Sequence, residues 1–280
     1  ERQGARHCIT CSTGTIGLEL VMQAHGIRPG DEVLVPAFTF VATATAVARM
    51  GGVPIFVDVD EAWCMDPKVL EAAITPRTRA ILPVHFAGRI ADMDAIQRVA
   101  DRHGLTVYED AAHAWGASWK GKGAGALGRA GVFSFQMSKN LTAAEGGAIV
   151  TDDDGFADEC RSLVNCGRGK DQPWYHHVRM GTNARITELQ ASLLLTQLDK
   201  LEPQMARRER NAAILDRGLT GVEGLGLQPS DARITRHAYH YYLFRIDPER
   251  FGCDRLQFIK ACQAEGLPVS ETFYPEPLYR

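Results

Sequence analysis

The sequence predicts an α/β protein: a mostly parallel central sheet flanked by helices, followed by a smaller C-terminal α+β domain. Two observations predict it. Over the first two-thirds of the chain, short apolar runs alternate with helix-period segments, the pattern of repeated βαβ units. Near residue 186 that alternation gives way to one long helical stretch and then to shorter mixed elements. The expected boundaries are 1–200 for the large domain and 201–280 for the small one.

The strands are read in order as DEVLVP (31–36), GVPIFVDV (52–59), RAILPVHF (79–86), GLTVYED (104–110), GVFSF (131–135) and GAIVT (147–151). The run HCITC before Ser12 is also strand-like. Each is short, apolar and rich in β-branched or aromatic residues, as a strand buried on both faces must be. Helices are expected over 14–27, 42–52, 66–74, 91–104 and 156–165. The long stretch 186–219 is helical, with Pro203 expected to kink or break it, because proline lacks the N–H that the helix ladder needs. After it, HAYHYYLFRI (237–246) reads as a strand and DRLQFIKACQAEG (254–266) as a helix.

Composition narrows the class. Of 280 residues, 45% are hydrophobic and 23% charged, and the net charge is −3, which gives no basic surface for nucleic acid or anionic lipid. No apolar run approaches the roughly 18 residues of a membrane span. With no secretory signal, the expected location is the cytoplasm. The chain opens without Met and ends abruptly at FYPEPLYR, so a fragment is expected. Seven cysteines without regular spacing fit free thiols in a reducing compartment. Cys8 and Cys11 form a CxxC, but no second pair or His pair accompanies it, and it lies in a strand-like run, so no metal is expected there.

In a parallel sheet, ligands bind beyond the carboxyl ends of the strands. Four such positions carry candidate chemistry. Ser12, Thr13, Gly14 and Thr15 sit at a helix N-terminus, where free N–H groups and hydroxyls suit a phosphate, though a plain Ser/Thr cap reads the same way. Phe40 follows the second strand and could stack on a flat ligand or simply be core. Glu109 and Asp110 close another strand; a buried carboxylate there needs a partner, which a protonated pyridine nitrogen, an Arg or a cap could supply. His113 lies three residues on. Lys139 follows GVFSF among small and polar neighbours. Phosphate cup, aromatic, isolated carboxylate and lysine together form a consistent set for pyridoxal 5'-phosphate (PLP). GAGALG (123–128) matches a dinucleotide fingerprint, but it precedes a strand instead of following one, so a loop or hairpin is expected.

The motifs STGTIGLEL, GIRPGDEVLVPAFTFVATATAV, PIFVDVD, ITPRTRAILPVHFAGR, YEDAAHAWGA, FSFQMSKNLTAAEGGAIVT and GTNARITELQAS resemble, in order, those of the DegT/DnrJ/EryC1/StrS aminotransferases. The resemblance runs from about residue 6 to about 215. It implies a fold-type I PLP-dependent transferase that moves an amino group from glutamate or glutamine to a nucleotide-linked keto-sugar or keto-cyclitol. It implies Lys139 as the Schiff-base lysine and Asp110 as the partner of the pyridine N–H. Phe40 would stack on the ring, and His113 would lie near the phenolic oxygen. Gly14, Thr15 and Ser134 would take the phosphate. Asn183 would reach the cofactor of a neighbouring subunit, which makes the protein a homodimer with shared sites.

Gln136, where sugar-nucleotide enzymes often carry His, and YPEPLY are similar to the branch acting on cyclitol ketones or making an aminohydroxybenzoate. Family members that dehydrate sugars replace the lysine with histidine, and a non-catalytic regulatory or scaffold member would be expected to lose Lys139 or Asp110. This chain keeps both. His176, His177, Arg179 and Arg185 lie in or after a polar loop that reads equally as substrate contact or solvated surface.

Overall fold

The structure, a computed structural model, describes residues 2–270, 274 and 276–279. Its centre is a seven-stranded sheet built from β1 (His7–Cys11), β2 (Glu32–Pro36), β3 (Val53–Val57), β4 (Thr78–Ile81), β5 (Thr106–Asp110), β6 (Ala130–Ser134) and β7 (Gly147–Thr151). The spatial order is β1-β7-β6-β5-β4-β2-β3. Every pairing is parallel except those of β7, which runs antiparallel to both β1 and β6. The carboxyl ends of β1, β5 and β6 therefore meet the amino end of β7 at one edge.

Both faces of the sheet are covered, which is why the strands read as continuous apolar runs. On β2, Leu34 faces one core with Ile81, Val107 and Phe133, while Val33 and Val35 face the other with Leu82, Tyr108 and Ile149. The flanking helices are α1 (Gly14–His25), α2 (Ala42–Arg49), α3 (Met93–His103) and α4 (Asp154–Val164). Their starts are set by local chemistry. Thr13, Asp92 and Asp153 each accept a hydrogen bond from a first-turn N–H, and Gly26 and Gly104 end α1 and α3 in the left-handed conformation that glycine adopts without a Cβ clash. No described helix is long and apolar enough to cross a membrane.

Four expectations are corrected. The run expected as strand over 79–86 leaves the regular ladder after Ile81, because Pro83 has no N–H to donate; it rejoins only through a parallel bridge between Val84 and Asp110. The helix α5 (Glu188–Leu219) passes through Pro203 unbroken over 32 residues, opened by a capping box between Thr187 and Gln190. Of HAYHYYLFRI, only Phe244–Ile246 is strand, paired with Leu225–Leu227. Residues 237–243 are instead irregular and docked: Ala238 N–H donates to Gly88 O and Tyr241 N–H to Ala87 O. Aromatic residues favour strands, and the run His237, Tyr239, His240, Tyr241 and Tyr242 reads as one although it forms no ladder. The expected helix over 66–74 is a single turn, Pro67–Leu70, followed by a tighter turn, and α6 (Arg255–Ala264) is as expected. Pro275 of the YPEPLY motif lies outside the described residues.

GAGALG is a loop, as expected, and it has a specific employment. The Glu109 side chain is fully buried. Its carboxylate accepts from Gly125 N–H at 2.7 Å, Leu127 N–H at 2.7 Å and Gly128 N–H at 2.6 Å. His85 Nε2 lies 2.7 Å from the same group. Ala91 N–H donates to His85 Nδ1, so the ring proton sits on Nε2 and is given to Glu109. The loop needs its glycines here: a Cβ on Gly128 would lie 2.6 Å from Val107 O, and Gly125 has a φ of +82°. Replacing Glu109 with Gln would turn an NH₂ toward donors that need an acceptor. Glu109→Gln is expected to cost about 3 kcal/mol, read as a lowered urea midpoint; an unchanged midpoint would show that the carboxylate does not organise this loop.

Candidate active site

The edge formed by β1, β5, β6 and β7 brings most of the candidates together. Residue 147 is paired on both sides, with Cys11 of β1 and Ser134 of β6. It must be glycine, because a Cβ there would stand 2.5 Å from the Thr13 backbone. A Cβ on Gly14 would stand 2.8 Å from Ser134 Cβ, so the start of α1 rests directly on the end of β6. Thr13 is the N-cap: its Oγ1 accepts from Ile16 N–H at 3.1 Å and its carbonyl from Gly17 N–H at 3.0 Å. These bonds engage the third and fourth helical N–H groups and leave those of Gly14 and Thr15, in front of them, beside Ser134. The result is a cradle of backbone donors and hydroxyls, closed against side chains, at the positive end of a helix dipole.

Asp110 ends β5 beside it and is buried. Its Oδ2 accepts from Thr43 Oγ1 at 2.8 Å and its Oδ1 from Ala112 N–H at 3.1 Å. Thr43 is steadied by Thr39, whose hydroxyl lies 3.0 Å away. Burial nonetheless raises the Asp110 pKa; the two hydrogen bonds and the nearby Lys139 only oppose that rise. The carboxylate is thus held in place while short of a cation. Lys139 shows the converse. Burial lowers its pKa below the usual 10.5, and Asp110 pulls it back up. Its loop is fixed by Lys139 N–H donating to Gln136 O and by Gln136 Oε1 accepting from Ser138.

His113 lies buried near both, its Nδ1 with no hydrogen-bond partner among the described residues. Burial pushes its pKa well down, and Lys139 and His240 push it further. Phe40 is not core: it is 53% exposed and stands 6.1 Å from the Tyr274 ring. Phe38, Phe86 and Tyr274 continue that aromatic wall toward His113. An orphaned imidazole, an under-compensated carboxylate, a half-buried amine, an exposed aromatic and an anion cradle fit a flat, phosphorylated, cationic heterocycle.

Asn183 is exposed, on a segment anchored by Ala184 O accepting from Ser12 N–H at 2.7 Å. It therefore borders the cradle without closing it. The loop histidines and arginines are occupied locally: His176 with Gln172, His177 with Cys166 O, Arg179 with Glu159 and Arg185 with Asn165. Cys8 is exposed and Cys11 buried; three apart on a strand, they point to opposite faces and cannot share a ligand. Sequence reasoning missed Thr43, His85, Asn140 and His240. Thr39 and Thr43 are four apart in an otherwise apolar stretch, which was a usable signal. Asn140 and His240 join across 100 residues and had none.

The comparisons with known proteins agree with this geometry. The chain is 43% identical over 284 residues to a putative L-glutamine:3-amino-2,3-dideoxy-scyllo-inosose aminotransferase of Streptoalloteichus tenebrarius, covering 100% of this chain and 68% of that protein. It is 42% identical to the 3-amino-5-hydroxybenzoate synthase of Amycolatopsis mediterranei, covering 96% of this chain and 70% of that one. The structure of S. venezuelae DesV superimposes with a TM-score of 0.91 at 38% identity, over 99% of this chain and 72% of that one. The chain thus spans about two-thirds of the length of these relatives. The family model of the DegT/DnrJ/EryC1/StrS aminotransferases matches residues 1–280, and the chain belongs to that family.

Proposed function

We propose that this aminotransferase uses PLP and transfers an amino group from glutamine or glutamate to a keto-cyclitol or a nucleotide-linked keto-sugar. The observation that carries the cofactor is Asp110: a buried carboxylate fixed by only one hydroxyl and one N–H, with a half-buried lysine whose charge it feels. Gly14, Thr15 and Ser134 would hold the phosphate, Phe40 and His113 the ring, and Lys139 the aldehyde carbon. When bound, the cofactor supplies an electron sink for the carbanion formed at the carbon bearing the amine.

The chain's own groups do the rest. Lys139 Nζ must be unprotonated to take the proton from that carbon, and burial favours this state. Asp110 keeps a proton on the ring nitrogen by remaining ionised beside it. His113, kept uncharged by burial, adds no second cation next to Lys139. The amino donor and the ketone would use the same site in turn, in a ping-pong cycle. Gln136 and the likeness to the scyllo-inosose and hydroxybenzoate enzymes favour the cyclitol side.

We place the small domain at 201–280, because the 225–227/244–246 sheet and α6 are all formed after residue 200, and we place the protein in the cytoplasm. We also propose a homodimer. Met180 is 89% exposed and Leu189 80%, and Trp174, Tyr175, Leu193 and Leu195 are exposed as well, between the Asn183 segment and the start of α5. Apolar side chains in that number ask for a cover, and a second copy would bring its Asn183 to the neighbouring site.

Three outcomes are expected. Lys139→Ala should lower turnover by roughly four orders of magnitude with the fold intact by circular dichroism, and borohydride reduction of the wild-type holoenzyme should label Lys139; label spread over surface lysines would remove the assignment. In the cofactor-free protein, an acylating reagent should modify Lys139 at lower pH than exposed lysines, because more of its amine is neutral there. Asp110→Asn should move that profile lower still, since the carboxylate holds the lysine's pKa up; a move to higher pH would contradict the coupling. Leu189→Arg should shift the sedimentation coefficient from dimer to monomer, and a variant that stays dimeric would place the interface elsewhere.

A further inference from the structure

We propose that His240 is a positioning residue for the reaction: stacked behind His113 and tied to Asn140, it fixes the imidazole that faces the cofactor and fastens the second domain to the lysine loop. The inference rests on the cofactor reading above, and goes beyond it by giving the irregular segment 237–243 a role in the site.

The geometry is as follows. The His113 and His240 rings lie 4.4 Å apart at 30°, a stacked pair, and both are buried. Tyr241 closes the back of the stack, 4.1 Å from His240. His240 Nδ1 is 3.2 Å from Asn140 Oδ1, and Asn140 Nδ2 donates to Ala238 O at 2.8 Å. Asn140 is the residue after Lys139, so one side chain joins the lysine loop to the Ala238 backbone and to the His240 ring. Arg208 Nη1 adds a bond to Tyr239 O. Gly88 makes room for the contact: a Cβ there would stand 2.8 Å from Ala238 Cβ and 3.0 Å from His240 N.

A merely structural histidine at this place would satisfy both nitrogens. His240 Nε2 and His113 Nδ1 are instead both buried without partners among the described residues, so the pair is held by ring contacts, the stack itself with Phe86 and Tyr241 at its edges, and by the one polar contact to Asn140. Burial with Lys139 and Arg208 nearby lowers the His240 pKa to about 3, so the stack is uncharged. His113 has no other polar contact fixing its ring on that side. Without His240 it can tilt away from the cofactor face.

The test is a double-mutant cycle with two readouts. His240→Ala should weaken PLP binding by roughly tenfold, the scale of one lost aromatic pair, and His240→Phe, which keeps the stack, should restore most of it. In a His113→Ala background, His240→Ala should have little further effect. Independently of any cofactor, two-bond ¹⁵N–¹H spectra of the cofactor-free protein should show one His113 tautomer in the wild type and in His240→Phe, and an averaged signal in His240→Ala. If His240→Ala leaves both the PLP affinity and the His113 spectrum unchanged, or if its full effect persists without His113, the proposal is overturned. If the wild type binds no PLP, the proposed function falls, and the tautomer measurement still decides whether His240 holds His113.

Discussion

Two carboxylates side by side at the end of one buried strand set the terms for this structure. Glu109 and Asp110 are consecutive, so the pleat sends them to opposite faces of the sheet. Neither can sit ionised in an apolar layer without donors, because a buried unpaired charge costs several kcal/mol. The fold answers the two demands differently. Glu109 receives three backbone N–H groups and the His85 proton. Asp110 receives one hydroxyl and one N–H. The first is a closed network that anchors the loop before β6. The second is left short, and the shortfall faces the lysine.

That difference explains how the site can be rigid and receptive together. His85 N–H donates to Asp110 O and Asp110 N–H to Pro83 O, so the backbone of the receptive residue is held from the same side as the His85–Glu109 pair. Pro83 interrupts the β4 ladder and lets the chain reach this arrangement, and the bridge from Val84 resumes it. A group held this firmly by its backbone can keep an unsatisfied side chain without the surroundings collapsing onto it, which is the condition for a preorganised acceptor of a ligand's charge.

Much of this was legible in the sequence, for reasons that can be named. A mostly parallel sheet covered on both faces forces apolar runs, and helices forced between them carry caps, so strand ends other than that of the run 79–86 could be located to within a residue or two and chemistry sought there. Gly14, Asp110 and Lys139 were singled out because each lies at or just after the end of a strand. What stayed hidden is of two kinds. The GAGALG loop was correctly separated from a nucleotide motif, yet nothing local said that its N–H groups serve a carboxylate from the neighbouring strand. The run 237–246 was misread as strand because aromatic residues favour strands whether or not the backbone pairs in a ladder; Tyr239, at a φ of +42°, marks where the backbone departs from extended geometry.

The same misreading locates the link between the two parts of the chain. Had residues 237–243 formed a strand, their backbone donors would have been consumed in a ladder. Being irregular, the segment gives the Ala238 and Tyr241 N–H groups to Gly88 O and Ala87 O and accepts from Asn140 Nδ2 at Ala238 O, and so joins the turns that follow β4 and β6. Ala87 itself adopts a left-handed φ of +58°, which a non-glycine residue keeps only where its surroundings enforce it. The second part of the chain is therefore fastened to the two loops that carry His85 and Lys139. A movement of that part against the sheet would reach the Lys139 loop through Asn140 and His113 through His240.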